Sequence, residues 1–270
     1  MMPKVSVLMS IYNNEATVDA SIESIVGQTF TDWEMILWDD ASTDGSAARL
    51  QHWARRDSRI QSYSNTHNLG LAASLNLALE KAEGEYVARM DGDDVSLPER
   101  FMKQVSFMDN HPQYAILGSA CTVFDEMGDW GTRFGLAEPQ KKGFLWGSQF
   151  IHPSIMMRRD TLLSVGGYRV CHDTLRAEDY DLFMRMYAHG YTGYNLREPL
   201  LRYYDKRIPR HVRYALRVSE ARIRMRGFKA LGLLPAGLPY VFKPLIVGLL
   251  PGRLKRKLQQ NRYRATADRR

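Results

Sequence analysis

The stretch YVARMDGDDVSLPERF, residues 86–101, begins as a strand, stops on three carboxylates within four positions, and resumes as a helix behind Pro98. Asp91, Asp93 and Asp94 repel one another, so a chain required only to fold has little reason to gather them at a strand end. Two adjacent carboxylates, with a third two residues earlier, offer the hard oxygen ligands that Mg²⁺ or Mn²⁺ takes. Such an ion uses one or two protein carboxylates and fills its other positions with water and phosphate oxygens, so the expected ligand is a diphosphate. Short acidic runs also occur as solvated turns and helix caps. A calcium loop of the EF-hand type does not fit, because its sixth position is Ser96 rather than glycine and its twelfth, where a glutamate belongs, is Met102.

Upstream, short apolar runs alternate with longer amphipathic ones, the pattern of a sheet with helical crossovers. VSVLM (5–9), WEMILW (33–38), IQSY (60–63) and YVARM (86–90) read as strands. Between them come Val18, Ile22, Ile25 and Val26 at helical spacing, a helix containing Leu50 and Trp53, and a helix over 72–83. This predicts three to four parallel strands with right-handed connections. Trp33, Trp38 and Trp53 are expected in its core. Ligands of open sheets bind beyond the carboxyl ends of the strands, and that is where SIYNN, DDASTDGS, NTHNLG and DGDD all fall. Downstream, a helix over 98–110 with Pro98 in its first turn leads to YAILGSACTVF. The turn-rich DEMGDWGTRFG then favours a hairpin, IHPSIMMRR (151–159) reads as a strand, AEDYDLFMRMYAHG as a helix ending at Gly190, and GYNLREPLLRYY as a last strand. No internal repeat is present, and no low-complexity linker occurs before about residue 206.

Taken in order, the segment from Lys4 through WDDASTDGS, then NLGLAASLNLALEKAEGEYVARMDGDDVSLPERF, HPSIMMRR and EDYDLFMR resembles the glycosyltransferase family two enzymes, continuously from about residue 3 to about residue 204. The resemblance implies an α/β GT-A fold, with a Rossmann-like, mostly parallel sheet flanked by helices. It implies a catalytic domain over 1–205, with a nucleotide-binding half (1–100) and an acceptor-binding half (101–205). Ser10 and Tyr12 then lie where the first loop lines the nucleotide base, and Asp40 matches the carboxylate that bonds the uracil or thymine imide. Asn68 fits the loop approaching the base or diphosphate, or else stabilises a turn before Gly70. Asp91 and Asp93 correspond to the outer acids of the DxD motif; Asp93 or Asp91 reaches the ribose or sugar, while Asp93 and Asp94 compete as the direct ligand of Mn²⁺ or Mg²⁺. By position in the ED pair Asp179 is the catalytic base and Glu178 its nearest rival, with Asp181 capping or pairing. Acids also favour a first helical turn for dipole reasons alone. His152 lines the acceptor or sugar pocket, or sits beneath it as a structural histidine.

The implied activity is inverting transfer of a sugar from a nucleotide-diphosphate donor, UDP-linked, to a hydroxyl of a glycan or polyprenyl-linked glycan, as in assembly of bacterial capsule, exopolysaccharide or lipopolysaccharide. A non-catalytic sugar-nucleotide-binding scaffold of the same fold would be expected to lose the acids, and both groups are intact. Residues 206–270 lie outside the shared pattern. The chain has a net charge of +7, yet residues 1–205 hold 19 Lys/Arg against 28 Asp/Glu whereas 206–270 hold 18 against 2. The apolar run 228–251 is interrupted by Pro235, Pro239, Pro244, Lys229 and Lys243, so it does not make a spanning helix. Basic flanks and an apolar centre suit shallow insertion at an anionic membrane surface; a helical subdomain packed on the catalytic core is the other reading. Nucleic acid is not an expected partner, since no recognition module or interleaved aromatic platform is present. Cys121 and Cys171 lack metal-ligand spacing, and MMPKVSVLMS lacks the features of a signal peptide. The expectation is a cytoplasmic enzyme, peripheral on the inner face of the cell membrane.

Overall fold

A computed structural model describes residues 2–205 and 213–249. Its first half is the expected series: β1 (Val5–Ile11), α1 (Val18–Val26), β2 (Trp33–Asp39), α2 (Ser46–Arg56), β3 (Ile60–Ser64), α3 (Leu71–Lys81) and β4 (Tyr86–Arg89). These four strands pair in parallel. Alternation along each strand feeds two apolar layers, as the period-2 geometry of a strand requires. Val7 and Met9 of β1 pack on one face with Met35 and Leu37, while Leu8 packs on the other with Ile36 and Val87. Trp33, Trp38 and Trp53 are buried as expected.

The second half continues the same sheet. It comprises β5 (Val95–Ser96), α4 (Arg100–Asn110), β6 (Tyr114–Asp125), β7 (Gly128–Arg133), β8 (Met156–Arg158), α5 (Arg159–Ser164), α6 (Glu178–Ala188) and β9 (Thr192–Tyr204). The described sheet has nine strands in the order β3-β2-β1-β4-β8-β6-β9-β5, with β7 pairing β6 in the expected hairpin. β8 runs antiparallel to both β4 and β6 and so joins the two halves edge to edge. The strand expected over 151–159 is shorter than its sequence pattern: His152–Ser154 form a 3-10 turn and only Met156–Arg158 pair. Pro153 has no N–H to give to a ladder.

Two further helices, α7 (Tyr214–Ala230) and α8 (Leu238–Leu249), lie against the layer that contains α6. Ile223 and Phe228 are fully buried there, and a Cβ at Gly227 would overlap Met184 of α6. The apolar run of the basic C-terminal region is thereby divided. Phe228, Leu231 and Val241 enter the core, while other large side chains of α8 stay outside. Residues 206–212 and 250–270 of that region lie outside the described residues. Among the described residues, no helix is long and apolar enough to cross a membrane.

Candidate active site

The carboxylate cluster is built by the end of β4 and held by α1. Strand pairing stops after the N–H of Met90 bonds to the carbonyl of Leu8 (3.1 Å). The hydroxyl of Thr17 then donates to the carbonyl of Gly92, and that of Ser21 to the carbonyl of Asp94, both at 2.7 Å. A Cβ at Gly92 would press on the Cδ1 of Ile11, which would have to shift to admit it. The turn brings one oxygen from each of Asp91, Asp93 and Asp94 within 4.8 Å of the others. Three hard oxygen donors at this separation fit a Mg²⁺ or Mn²⁺ ion.

The three acids are not equivalent. Asp94 is fully buried; its Oδ1 accepts the N–H of Tyr204 at 2.7 Å, while its Oδ2 has no hydrogen-bond partner. Burial, reinforced by the charges of Asp91 and Asp93, holds its carboxyl well above the usual range. Asp91 pairs with Arg89, a strand residue only 3 % exposed, whose Nε and Nη1 are buried without partners. Behind them Arg100 of α4, also buried, donates to the carbonyls of Arg89 (2.9 Å) and Ile155 (3.3 Å), and burial pushes its pKa down to about 9. Two buried guanidinium groups therefore stand behind three carboxylates.

The second acidic group opens α6. Burial raises the pKa of Asp179, which lines its cleft beside Ser148, whose hydroxyl donates to the carbonyl of Phe150 at 3.2 Å. Burial and then the charge of Asp179 push Glu178 up to about 7, against the pull of Arg89. Asp181 faces away and pairs with Arg169 and Arg185, each at 2.8 Å. Its expected pairing role is the one observed.

Two clefts connect these groups. One of about 280 Å³ is lined by Arg89, Asp91, Ser148, His152, Glu178 and Asp179, among others. The other, about 400 Å³, includes Ser10, Asn14, Asp91, Asp93 and Arg176. Asp91 and Tyr203 line both. Acids distant in sequence thus line two clefts that share Asp91 and Tyr203, at the carboxyl ends of β1 and β4.

The remaining expected residues divide. Ser10 lies in the larger cleft. Tyr12 is 48 % exposed and lines neither. Asp40 is buried; Oδ1 accepts from Asn65 (2.8 Å) and the N–H of Leu69 (2.7 Å), and Oδ2 from the N–H of Gly70 (2.8 Å). Asn68 donates to the carbonyl of Asp40 at 3.2 Å. These two residues organise the loop entering α3 and lie together outside both clefts. His152 lines the smaller cleft with Nε2 2.8 Å from the hydroxyl of Tyr168. Burial, then the charge of Arg89, keeps its imidazole well below the usual range, so it is neutral. Arg89, Ser148, Arg176 and Tyr203 escaped the sequence reading. A charged residue inside the apolar run YVARM was the available signal for Arg89; the other three carried none.

A mixed sheet of this order, with an acidic turn facing an acidic helix start, defines a protein of the GT-A fold. The chain belongs to Glycosyl transferase family 2, whose sequence profile matches residues 6–166. It is 39 % identical over 262 residues to EpsE of Bacillus subtilis (strain 168), a protein named as a glycosyltransferase, covering 96 % of this chain and 94 % of EpsE. It is 36 % identical over 104 residues to WfgD of Escherichia coli, named as a UDP-Glc:alpha-D-GlcNAc-diphosphoundecaprenol beta-1,3-glucosyltransferase, covering 38 % and 40 % of the two chains. Among solved structures, S. aureus TarS 1-349 in complex with UDP-GlcNAc superposes with a TM-score of 0.72 at 17 % identity, over 93 % of this chain and 77 % of that one. The mannosyltransferase PcManGT of Pyrobaculum calidifontis, in complex with GDP-Man and Mn²⁺, gives 0.61 at 19 % identity, over 98 % and 82 %. These two likenesses show the fold, as the sequence motifs implied.

Proposed function

We propose that the protein is an inverting glycosyltransferase that moves a hexosyl group from a UDP-sugar to a hydroxyl of a glycan or polyprenyl-linked glycan. We place it in bacterial surface polysaccharide biosynthesis, peripheral on the inner face of the cell membrane. The observation that carries the reading is the meeting of Asp91 and Asp93 with Glu178 and Asp179 across two clefts that share Asp91. A donor diphosphate fits beside the first pair and an acceptor hydroxyl beside the second. The names and ligands of WfgD and TarS support a UDP-linked donor, and that of WfgD supports a lipid-linked acceptor.

Asp93 and Asp91 would hold Mn²⁺ or Mg²⁺, which PcManGT supports for the fold, and such an ion supplies charge neutralisation for the departing diphosphate. Asp94 competes with them as a direct ligand through its unpartnered Oδ2, its Oδ1 being held by Tyr204. Ser10 lines the nucleoside side of the site, with Tyr12 exposed one residue beyond β1, and Asp40 and Asn68 act there by shaping the loop before α3. Asp179 is the base: beside Ser148 in the smaller cleft, its carboxylate takes the proton as the acceptor oxygen attacks the anomeric carbon. The new C–O bond forms on the face opposite the breaking bond to the diphosphate, so the anomeric centre inverts. His152, neutral and fixed by Tyr168, shapes the sugar pocket. A donor screen reading nucleoside diphosphate release, with and without polyprenyl-linked acceptors and divalent ions, tests the proposal. No acceptor-dependent release from any nucleotide sugar would reject it.

A further inference from the structure

Helix α8 turns Val241 and Pro244 inward and leaves Leu238, Phe242, Ile246 and Leu249 outside, at 37 %, 51 %, 60 % and 75 % exposure. At about 100° per residue, spacings of four, four and three place these side chains along one line of the helix. The helix contains no acidic residue, and its one charge, Lys243, lies at the edge of this face. The Lys243 ammonium sits 5.0 Å from the ring centre of Trp146 and donates to the carbonyl of that residue at 3.2 Å. Trp146 is itself 65 % exposed and meets Tyr240 of α8 edge-on, with ring centres 4.9 Å apart. Four large apolar side chains in line, bordered by a tryptophan and a lysine, form a surface with an apolar middle and an amphipathic margin.

We infer that this face of α8 lies flat on an anionic lipid bilayer, with the four apolar side chains in the acyl boundary and Lys243 and Trp146 at the headgroups. The inference rests on the membrane placement proposed above and names the residues that make it. A helix of 12 residues is about 18 Å long, well short of a hydrocarbon core of about 30 Å, so it lies in the interface rather than across it. Residues 250–270, which follow directly, hold eight Lys/Arg against the single acid Asp268 and only Leu250, Leu254, Leu258 and Tyr263 as large apolar residues. That sequence complements anionic headgroups and has little with which to cover an apolar strip. A second copy of the chain would set one strongly basic C-terminal region against another, a like-charge arrangement that opposes association. The bilayer satisfies both the apolar strip and the basic segment.

The placement has a consequence for the site. Trp146 precedes by two residues Ser148, which lines the smaller cleft with Glu178 and Asp179, and α7 packs on α6 through Gly227 and Met184. Docking through α8 therefore brings the catalytic carboxylates close to the lipid–water boundary, where a polyprenyl-linked acceptor presents its sugar.

Flotation of the full-length protein with phosphatidylcholine vesicles, with and without phosphatidylglycerol, tests this. The protein should float with the anionic vesicles, less so in about 0.5 M salt, with a hydrophobic remainder that screening does not remove. The double variant Phe242→Glu, Ile246→Glu should lose roughly tenfold or more of that partitioning. Phe242→Ser with Ile246→Ser should show the same direction through lost apolar area alone. Both positions are exposed, so thermal stability and UDP binding should match the wild type. Failure of the wild type to float, or flotation of both double variants at wild-type levels, overturns the proposal. A change from dimer to monomer in the variants, with flotation unaltered, would make the strip a self-association surface and overturn it as well. If flotation behaves as stated but no donor yields nucleoside diphosphate, the proposed reaction fails and the docking face stands.

Discussion

Replacing Glu178 with glutamine should make the protein more stable at neutral pH, by an amount that depends on pH in a defined way. The side chain keeps its volume and loses its charge, and in the native protein that charge is carried at a cost. Burial and the neighbouring Asp179 lift the carboxyl from 4.5 to about 7, which corresponds to roughly 3 kcal/mol against ionisation. Asp179 titrates with it and water reaches the partly exposed side chain, leaving about 1–2 kcal/mol as the expected gain. The sign follows from linkage: the folded pKa lies above the unfolded one, so this group's contribution to stability is intact below about 4.5 and is lost as pH rises through 7. The gap between variant and wild type should be small near pH 5 and reach its plateau by about pH 8. Urea unfolding followed by tryptophan fluorescence, without nucleotide or metal, measures it at both pH values. A variant that is no more stable than the wild type at the higher pH, or a gap of equal size at both, would refute the argument that Glu178 is held ionised under strain.

Asp179→Asn keeps the shape and cannot accept a proton, so turnover should fall roughly 10²-fold or more with donor affinity nearly unchanged by calorimetry; a larger loss in Glu178→Gln would move the base to that residue. Asp93→Ala, or chelation of divalent ions, should weaken nucleoside diphosphate binding in the same titration; equal affinity in both cases would remove the metal from the donor site. In Arg89→Met, the loss of the pair with Asp91 is offset by removal of two unpartnered buried N–H groups, so stability should change by no more than about 1–2 kcal/mol while transfer drops sharply. Unfolding of the variant under conditions where the wild type is folded would show instead that Arg89 is chiefly structural.

The sequence by itself determined the parallel half of the sheet, because the short apolar runs VSVLM and WEMILW and the helical spacing of Val18, Ile22 and Ile25 are local properties, set within a few residues. It also determined both acidic groups and their order, since each is a contiguous run at the end of a recognisable element. The tertiary structure alone decided what depends on which elements meet. A three-residue strand such as β8 is too short to show a period, yet its pairing with β4 and β6 makes one sheet of two halves. The run DGDD shows three like acids; only the N–H of Tyr204, reaching Asp94 from β9, sets one of them apart from the other two. Asp40 reads as a strand-end acid, and its three N–H partners appear only when the loop before α3 folds back onto it. In the same way, the apolar run after residue 228 has one composition but two fates: packing of α7 on α6 and of α8 on α7 buries Phe228 and Val241, and the direction in which α8 then lies leaves Phe242 and Ile246 facing outward.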